Sequence, residues 1–456
     1  MELLGKRVLV VGLERTGLAT ALFCRARGAR VTATESRPES AVASAARLLR
    51  EAGVELECGG HGRETFFAQD LIVPSPGVPP AIEPLAKARA RGIPVWSEIE
   101  LASRFLRGRL LAITGSNGKT TTTLLAGHIL REGGRRVLVG GNVGTPLVSL
   151  VDESADDTLT VAEVSSFQLE LIAEGFRPAF AAILNVTPDH LDRHPSLEAY
   201  ARAKARIFEN QREEDAAIVN GDDPAAAALA PARPRRFWFR RLGPVEEGAC
   251  LEGSRIVFRS AGRSVGLLPL ADIPMRGEHN VENVLAAGCL AALVGVAPET
   301  IRLAVRSFPG VEHRLEFVAE IGGVAYFNDS KATNVDAALK AIGAFPGSLV
   351  VILGGKDKGG DFAPLASALE GRTRLALLVG AAAAKIGTQL GDRIPAERAG
   401  TLDRAVEIAF ERAQPGDTVL LAPACASFDQ FENFEHRGRA FKELVHQLAG
   451  RVVARG

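Results

Sequence analysis

Short apolar runs bounded by Gly, Pro, Asn or Asp alternate along the chain with stretches in which apolar residues return every third or fourth position. The runs read as strands buried on both faces and the stretches as amphipathic helices, so the alternation predicts parallel sheets covered by helices. Up to residue 97 the strands fall at 7–11, 30–34, 54–58 and 71–73, with helices from Gly17 and before Gly53. From 98 to 309 an apolar strand starting at Leu110 is followed by strands near 136–139, 159–163, 181–184 and 216–219. A β-rich stretch over 249–270 and a helix opening at Gly277 complete this segment. From 310 to 456 strands are expected at 324–328, 349–353, 375–379 and 418–421. The expected fold class is therefore α/β with three domains, 1–97, 98–309 and 310–456.

The stretch Leu110-Leu-Ala-Ile-Thr-Gly115-Ser116-Asn117-Gly118-Lys119-Thr120-Thr121 reads as strand, glycine turn and helix start. Such a turn aims backbone N–H groups and a helix dipole at one point, which suits phosphate, and Lys119 can reach the β- and γ-phosphate oxygens. Either Thr120 or Thr121 would hold Mg²⁺ through its hydroxyl. The GxxxxGK[ST] spacing is not met, because Ile113 stands where the first glycine belongs. The middle domain is thus expected to be a mostly parallel sheet of P-loop type with a variant loop.

Other polar groups fall at strand ends, where open α/β sheets bind ligands. In the middle domain these are Gly140-Gly141-Asn142, Glu163, and Asn185-Val-Thr-Pro-Asp189-His190. A carboxylate and an imidazole there suit a second Mg²⁺ or phosphate oxygens. His190 and His194 are four apart, but Pro195 breaks the helix that zinc spacing would need and no third ligand accompanies them. Ser196 is placed to cap the next helix, whose apolar face carries Leu197, Tyr200, Ile207 and Phe208, and Lys204 falls in the middle of that face. An inward lysine pairs with an acid, loses its proton or is chemically modified. A carbamate formed from the neutral amine and CO₂ would be an oxygen ligand for the second Mg²⁺; an ion pair with Glu163 or Asp189, or snorkelling to the surface, are the other readings.

The first domain has Gly12-Leu-Glu14-Arg-Thr16-Gly17 where a dinucleotide fold carries GxGxxG, and Glu35 ends its second strand. Glu14 replaces the glycine that lets a pyrophosphate approach, so NAD is not expected; the turn serves another nucleotide or none. This domain and the third are expected to be Rossmann-like. Asn280 and Asn283, one helical turn apart, can read an adenine edge or cap the helix. In the third domain three loops follow strands: Asp329-Ser-Lys331-Ala-Thr333-Asn334, Gly354-Gly-Lys-Asp-Lys358-Gly-Gly360, and 422–434 with Ser427 and Phe434.

Composition narrows the classes further. The 456 residues balance 54 basic against 54 acidic side chains. That gives no footprint for nucleic acid. No apolar run is long enough to span a bilayer, so no membrane insertion is expected, and the amino terminus lacks a signal-peptide pattern. Five scattered cysteines without CxxC spacing imply neither disulfides nor zinc. A cytoplasmic monomer is expected.

Taken together, Thr114-Gly-Ser-Asn-Gly-Lys-Thr-Thr, His279-Asn280-Val-Glu-Asn283, His313-Arg314 and Asn328-Asp-Ser-Lys-Ala-Thr-Asn334 resemble the Mur ligases, and Ser427-Phe-Asp-Gln-Phe-Glu-Asn-Phe434-Glu-His-Arg-Gly resembles their glutamate-adding member. The resemblance spans all three domains and accounts for the variant loop. It implies an ATP-dependent ligase that joins D-glutamate to UDP-N-acetylmuramoyl-L-alanine through an acyl phosphate, in peptidoglycan precursor synthesis. By it, Gly115 to Thr121 with Asn280, Asn283, Arg314, Asp329 and Lys331 bind ATP. Thr120, Glu163, His190 and carbamylated Lys204 hold two Mg²⁺ ions, and Lys119 acts with Glu163, His190 and Lys204 in catalysis. Thr16, Glu35, Ser36, Arg37, Ser75, Gly77 and Asn142 receive the uridine diphosphate substrate. Lys331, Thr333, Lys358, Ser427 and Phe434 position D-glutamate. Glu35-Ser36 replaces the family's usual Asp-Thr pair. The rival readings are another Mur-type or folylpolyglutamate-type ligase, a P-loop NTPase switch and a dehydrogenase.

Overall fold

The computed structural model describes residues 2–142, 144–189 and 193–453. It contains three sheets. The first is fully parallel, in the order Glu55–Cys58, Arg30–Glu35, Arg7–Val11, Leu71–Pro74. The second has nine strands. Its parallel part runs Gly248–Glu252, Arg235–Arg240, Ala216–Asn220, Phe180–Ile183, Arg109–Thr114, Leu159–Glu163, Val137–Gly141. Two antiparallel strands, Arg255–Ser260 and Arg263–Pro269, extend it at one edge. The third sheet runs Glu316–Ile321, Val324–Asn328, Thr418–Leu421, Leu349–Gly354, Thr373–Val379, Ala396–Gly400, antiparallel only at its first pair.

Burial explains the sequence pattern. In the strand Leu349–Gly354, Leu349, Val351 and Leu353 enter one core while Val350 and Ile352 enter another. Both faces are covered by helices, so the strand reads as a continuous apolar run.

The chain divides into two compact units, Met1–Asp272 with Asn283–Val305, and Ile273–Glu282 with Arg306–Gly456. The first two sheets share a unit because one apolar core is continuous through both, from Val8 and Val31 to Leu147, Val148 and Ala181. Two buried carboxylates at their junction, on the helix Glu98–Ser103, add hydrogen bonds. Glu98 accepts from the N–H of Val148 at 2.7 Å, and Glu100 accepts from the N–H groups of Ala173, Gly175 and Phe176.

Candidate active site

The strand Arg109–Thr114 is flanked in register by Leu159–Glu163 and Phe180–Ile183. It delivers residues 115–118 to the start of the helix Lys119–Glu132. Gly118 has φ +84°, and a Cβ there would lie 2.4 Å from Asn283 Oδ1, so both conformation and space demand glycine. The loop is braced by Asn185, which sequence reading left without a role. Its Oδ1 accepts from the N–H of Asn117 at 2.8 Å, its Nδ2 donates to Asn117 O, and its carbonyl accepts from Ser116 N–H. Ser116 Oγ donates to Thr187 O and accepts from Thr187 N–H, both at 3.0 Å.

Two lysines converge on this loop. Lys119 Nζ donates to the carbonyls of Gly115 and Ser116, each at 2.8 Å. Lys204 Nζ donates to the same Gly115 carbonyl, also at 2.8 Å, and lies 4.3 Å from the centre of the Tyr200 ring. Ser196 caps the helix Leu197–Ala205 through its Oγ, and the inward face carries Tyr200 and Lys204. Lys204 is 1% exposed. Burial, reinforced by the neighbouring Lys119 charge and opposed by Asp189 and Glu163, pushes its pKa well below the ordinary lysine value.

Thr120 is the threonine that faces an acid: its hydroxyl donates to Glu163 Oε2 at 2.7 Å. Asn142 Nδ2 donates to the other oxygen of Glu163 at 3.0 Å, and Glu163 is 2% exposed. Thr121 is buried beside it on the helix. Asn283 Oδ1 accepts from Thr122 Oγ1 at 3.2 Å, against the phosphate loop, whereas the Asn280 side chain turns back to Arg276 O. His190 lies outside the described residues. His194 makes a hydrogen bond with Ser166 Oγ and stacks on Phe167. No group of three or more His, Cys, Asp or Glu side chains with metal-binding geometry occurs among the described residues. A hydroxyl and one carboxylate oxygen in contact fit Mg²⁺, which takes one or two protein oxygens and completes its shell from phosphate and water.

At the ends of the first sheet, Glu35 Oε2 accepts from the N–H of Leu13 at 3.0 Å and from Arg37, while Oε1 accepts from Ser36 Oγ. Burial opposes ionisation of Glu35, yet the hydrogen bonds from Arg37 and Leu13 outweigh it and bring its pKa down to about 2. The Arg37 guanidinium also meets Glu14 at 2.8 Å. Ser75 Oγ donates to Gly12 O, against which Gly17 packs with no room for a Cβ; Thr16 lies on the same turn, and Gly77 is exposed beyond the strand end.

In the second unit Asp329 is buried between the N–H of Leu315, at 3.3 Å, and Arg314, at 3.5 Å. Burial raises its pKa to about 6, against the pull of Arg314. Lys331 Nζ lies 5.2 Å from the Phe434 ring centre. Thr333 follows it, its N–H on the Lys331 carbonyl. Ser427 is buried and Lys358 exposed, each on a loop at the carboxyl ends of the strands. Arg437, which sequence reading left without a role, is buried and ties the loop of Lys331 and Thr333 to that of Ser427, donating to Ser330 O, Cys425 O and Ala426 O. No helix among the described residues is long and apolar enough to cross a membrane.

Family models described as the Mur ligase MurD-like N-terminal domain, the Mur ligase middle domain and the Mur ligase glutamate ligase domain match residues 6–97, 113–291 and 313–425. A relative from Acidobacterium capsulatum named UDP-N-acetylmuramoylalanine--D-glutamate ligase is 56% identical over 457 residues, covering 100% of this chain and 98% of its own. One of the same name from Koribacter versatilis is 52% identical, covering 98% of this chain and 99% of its own. The solved UDP-N-acetylmuramate-alanine ligase of Thermotoga maritima shares the fold with TM-score 0.61 at 18% identity, over 97% of this chain and 99% of its own. With one sheet under each of the three models and such identity along its whole length, the chain belongs to the Mur ligase family.

Proposed function

We propose that the protein is an ATP-dependent ligase that joins D-glutamate to UDP-N-acetylmuramoyl-L-alanine in peptidoglycan precursor synthesis. The observation that carries the chemistry is the convergence of Lys119, buried Lys204 and the Thr120–Glu163 pair on one phosphate loop. The identity of the acceptor and the amino acid is supported by the relatives at 56 and 52% identity.

A carboxylate is a poor electrophile. Transfer of the γ-phosphoryl group of ATP to the L-alanyl carboxylate gives an acyl phosphate and ADP; the D-glutamate amine then attacks the carbonyl carbon, and the C–O bond to phosphate breaks. Negative charge grows on phosphoryl oxygens in the first step and on the carbonyl oxygen in the second. Lys119 leaves the Gly115 and Ser116 carbonyls for the phosphate, and the loop N–H groups hold it there. Thr120 and Glu163 would hold Mg²⁺, which neutralises phosphate charge when bound. The depressed pKa of Lys204 favours the neutral amine, which would add CO₂, releasing a proton and forming a carbamate; that carbamate and His190 are assigned to a second metal.

Glu35, Ser36 and Arg37, with Thr16, Ser75, Gly77 and Asn142, are assigned to the uridine diphosphate substrate. Lys331, Thr333, Lys358, Ser427 and Phe434 are assigned to D-glutamate, and Asn280, Asn283, Arg314 and Asp329 to ATP. An isotope experiment tests the reaction. Substrate labelled with ¹⁸O in the alanyl carboxylate should pass one label to the released phosphate; unlabelled phosphate would rule out the acyl phosphate.

A further inference from the structure

The glycine-rich loop after the strand Leu349–Gly354 is closed by an ion pair outside the residues assigned so far. Asp357 Oδ1 accepts from the N–H groups of Gly359 and Gly360, each at 2.9 Å, and its Oδ2 meets Lys385 Nζ at 2.7 Å. Lys385 Nζ also donates to Gly360 O at 2.8 Å and sits over the Phe362 ring. Phe362 is itself buried, and its N–H is held by Gln389 on the same helix as Lys385, Ala383–Leu390. Gly359 has φ +83°, so the chain reverses within the span that Asp357 closes. At its other end the loop is pinned by a backbone bridge, Lys356 N–H to Ala426 O at 2.8 Å and Ala426 N–H to Lys356 O at 3.1 Å.

Lys358 stands between these two anchors, exposed, on a loop whose three neighbouring glycines would otherwise leave it loose. Ser427 follows directly on the bridged Ala426. The bridge fixes Ser427 relative to the start of the loop, and the Asp357–Lys385 pair fixes the rest of the loop relative to the helix Ala383–Leu390. A long, flexible ammonium-bearing side chain recognises a carboxylate with little entropic loss only when its backbone is already set.

We propose that Asp357 and Lys385 are positioning residues for carboxylate recognition by Lys358, and so set affinity for the incoming amino acid. The inference rests on the reading of Lys358 as a D-glutamate ligand. It concerns groups that do not touch the substrate.

The test uses the full-length protein and its Lys385→Met, Lys385→Arg and Asp357→Asn variants, with thermal melts to confirm folding. Steady-state phosphate release should show the KM for D-glutamate raised about tenfold in Lys385→Met and Asp357→Asn, with kcat and the KM for ATP changed less than about twofold. Lys385→Arg should restore most of the lost affinity. Hydrogen exchange over residues 356–360, measured without substrate, should quicken in the same two variants. Faster exchange together with a wild-type protein that ignores D-glutamate would support the clamp and sink the reading of Lys358. Unchanged exchange and unchanged KM for D-glutamate would overturn the clamp; a parallel fall in kcat with every KM unmoved would also count against it.

Discussion

Lys119 and Lys204 donate to one acceptor: each ammonium nitrogen lies 2.8 Å from the carbonyl oxygen of Gly115. Lys119 is half-buried and Lys204 fully buried, and burial of Lys204, reinforced by the neighbouring Lys119 charge, pushes its pKa well below the ordinary lysine value. Lys204→Met removes a buried ionisable group while Lys119 still satisfies Gly115 O. Activity should fall by at least about a hundredfold. A lysine whose pKa is depressed on folding weakens the fold most below that depressed value, and the loss disappears only as pH climbs past the ordinary lysine pKa. The variant should therefore melt higher than the parent at pH 7, with the advantage shrinking toward pH 10. A lower melting temperature at pH 7 would contradict this.

Gly118→Ala places a methyl group 2.4 Å from Asn283 Oδ1 at a φ of +84°. The left-handed conformation alone costs about 1–2 kcal/mol for a residue other than glycine. The loop should open to relieve the contact. Calorimetric titration should show ATP binding lost or weakened by about tenfold or more, with the rest of the fold retained by circular dichroism.

Glu163→Gln keeps an oxygen to meet Thr120 or Asn142 and removes the charge. Turnover should drop on the order of a hundredfold and require higher Mg²⁺ to reach its maximum. Chelation of Mg²⁺ should abolish turnover in the parent protein. A variant with unaltered Mg²⁺ dependence would remove Glu163 from the metal site.

Much of this was legible in the sequence, for physical reasons that also mark where legibility stops. The central strands are buried on both faces and announce themselves as apolar runs. The edge strand Ala396–Gly400 alternates between exposed and half-buried positions, and Arg235–Arg240 buries only Phe237 and Phe239, so neither forms such a run. The strand expected at 136–139 runs instead as Val137–Gly141, because its last two residues are glycines held in register with Ala162 and Glu163. The inward face of Lys204 followed from helical spacing. Its acceptor, 89 residues away, did not. Glu14 stood out as a departure from a glycine pattern, but its ion pair with Arg37 needs the third dimension. The shared core of the first two sheets had no local signal either, since acidic side chains ordinarily face solvent and Glu98 and Glu100 are buried.

Glu98 is fully buried, and burial raises its pKa from 4.5 to about 7 despite the N–H groups of Val148 and Leu147. Its Oε2 has no hydrogen-bond partner among the described residues. A carboxyl whose pKa rises on folding stabilises fully below its unfolded value, and that contribution is lost as pH climbs through the folded one. Glu98→Gln should therefore resist denaturant better than the parent at pH 9, by on the order of 3 kcal/mol, and match it near pH 4.5. An equal difference at both pH values would mean that folding does not raise the pKa of Glu98.

The most direct measurement is phosphate release from ATP in the presence of UDP-N-acetylmuramoyl-L-alanine, with D-glutamate, L-glutamate or no amino acid added. Sustained release is expected only when the nucleotide substrate and D-glutamate are both present. Equal release without either, or with L-glutamate in place of D-glutamate, would contradict the assignment of a D-glutamate ligase.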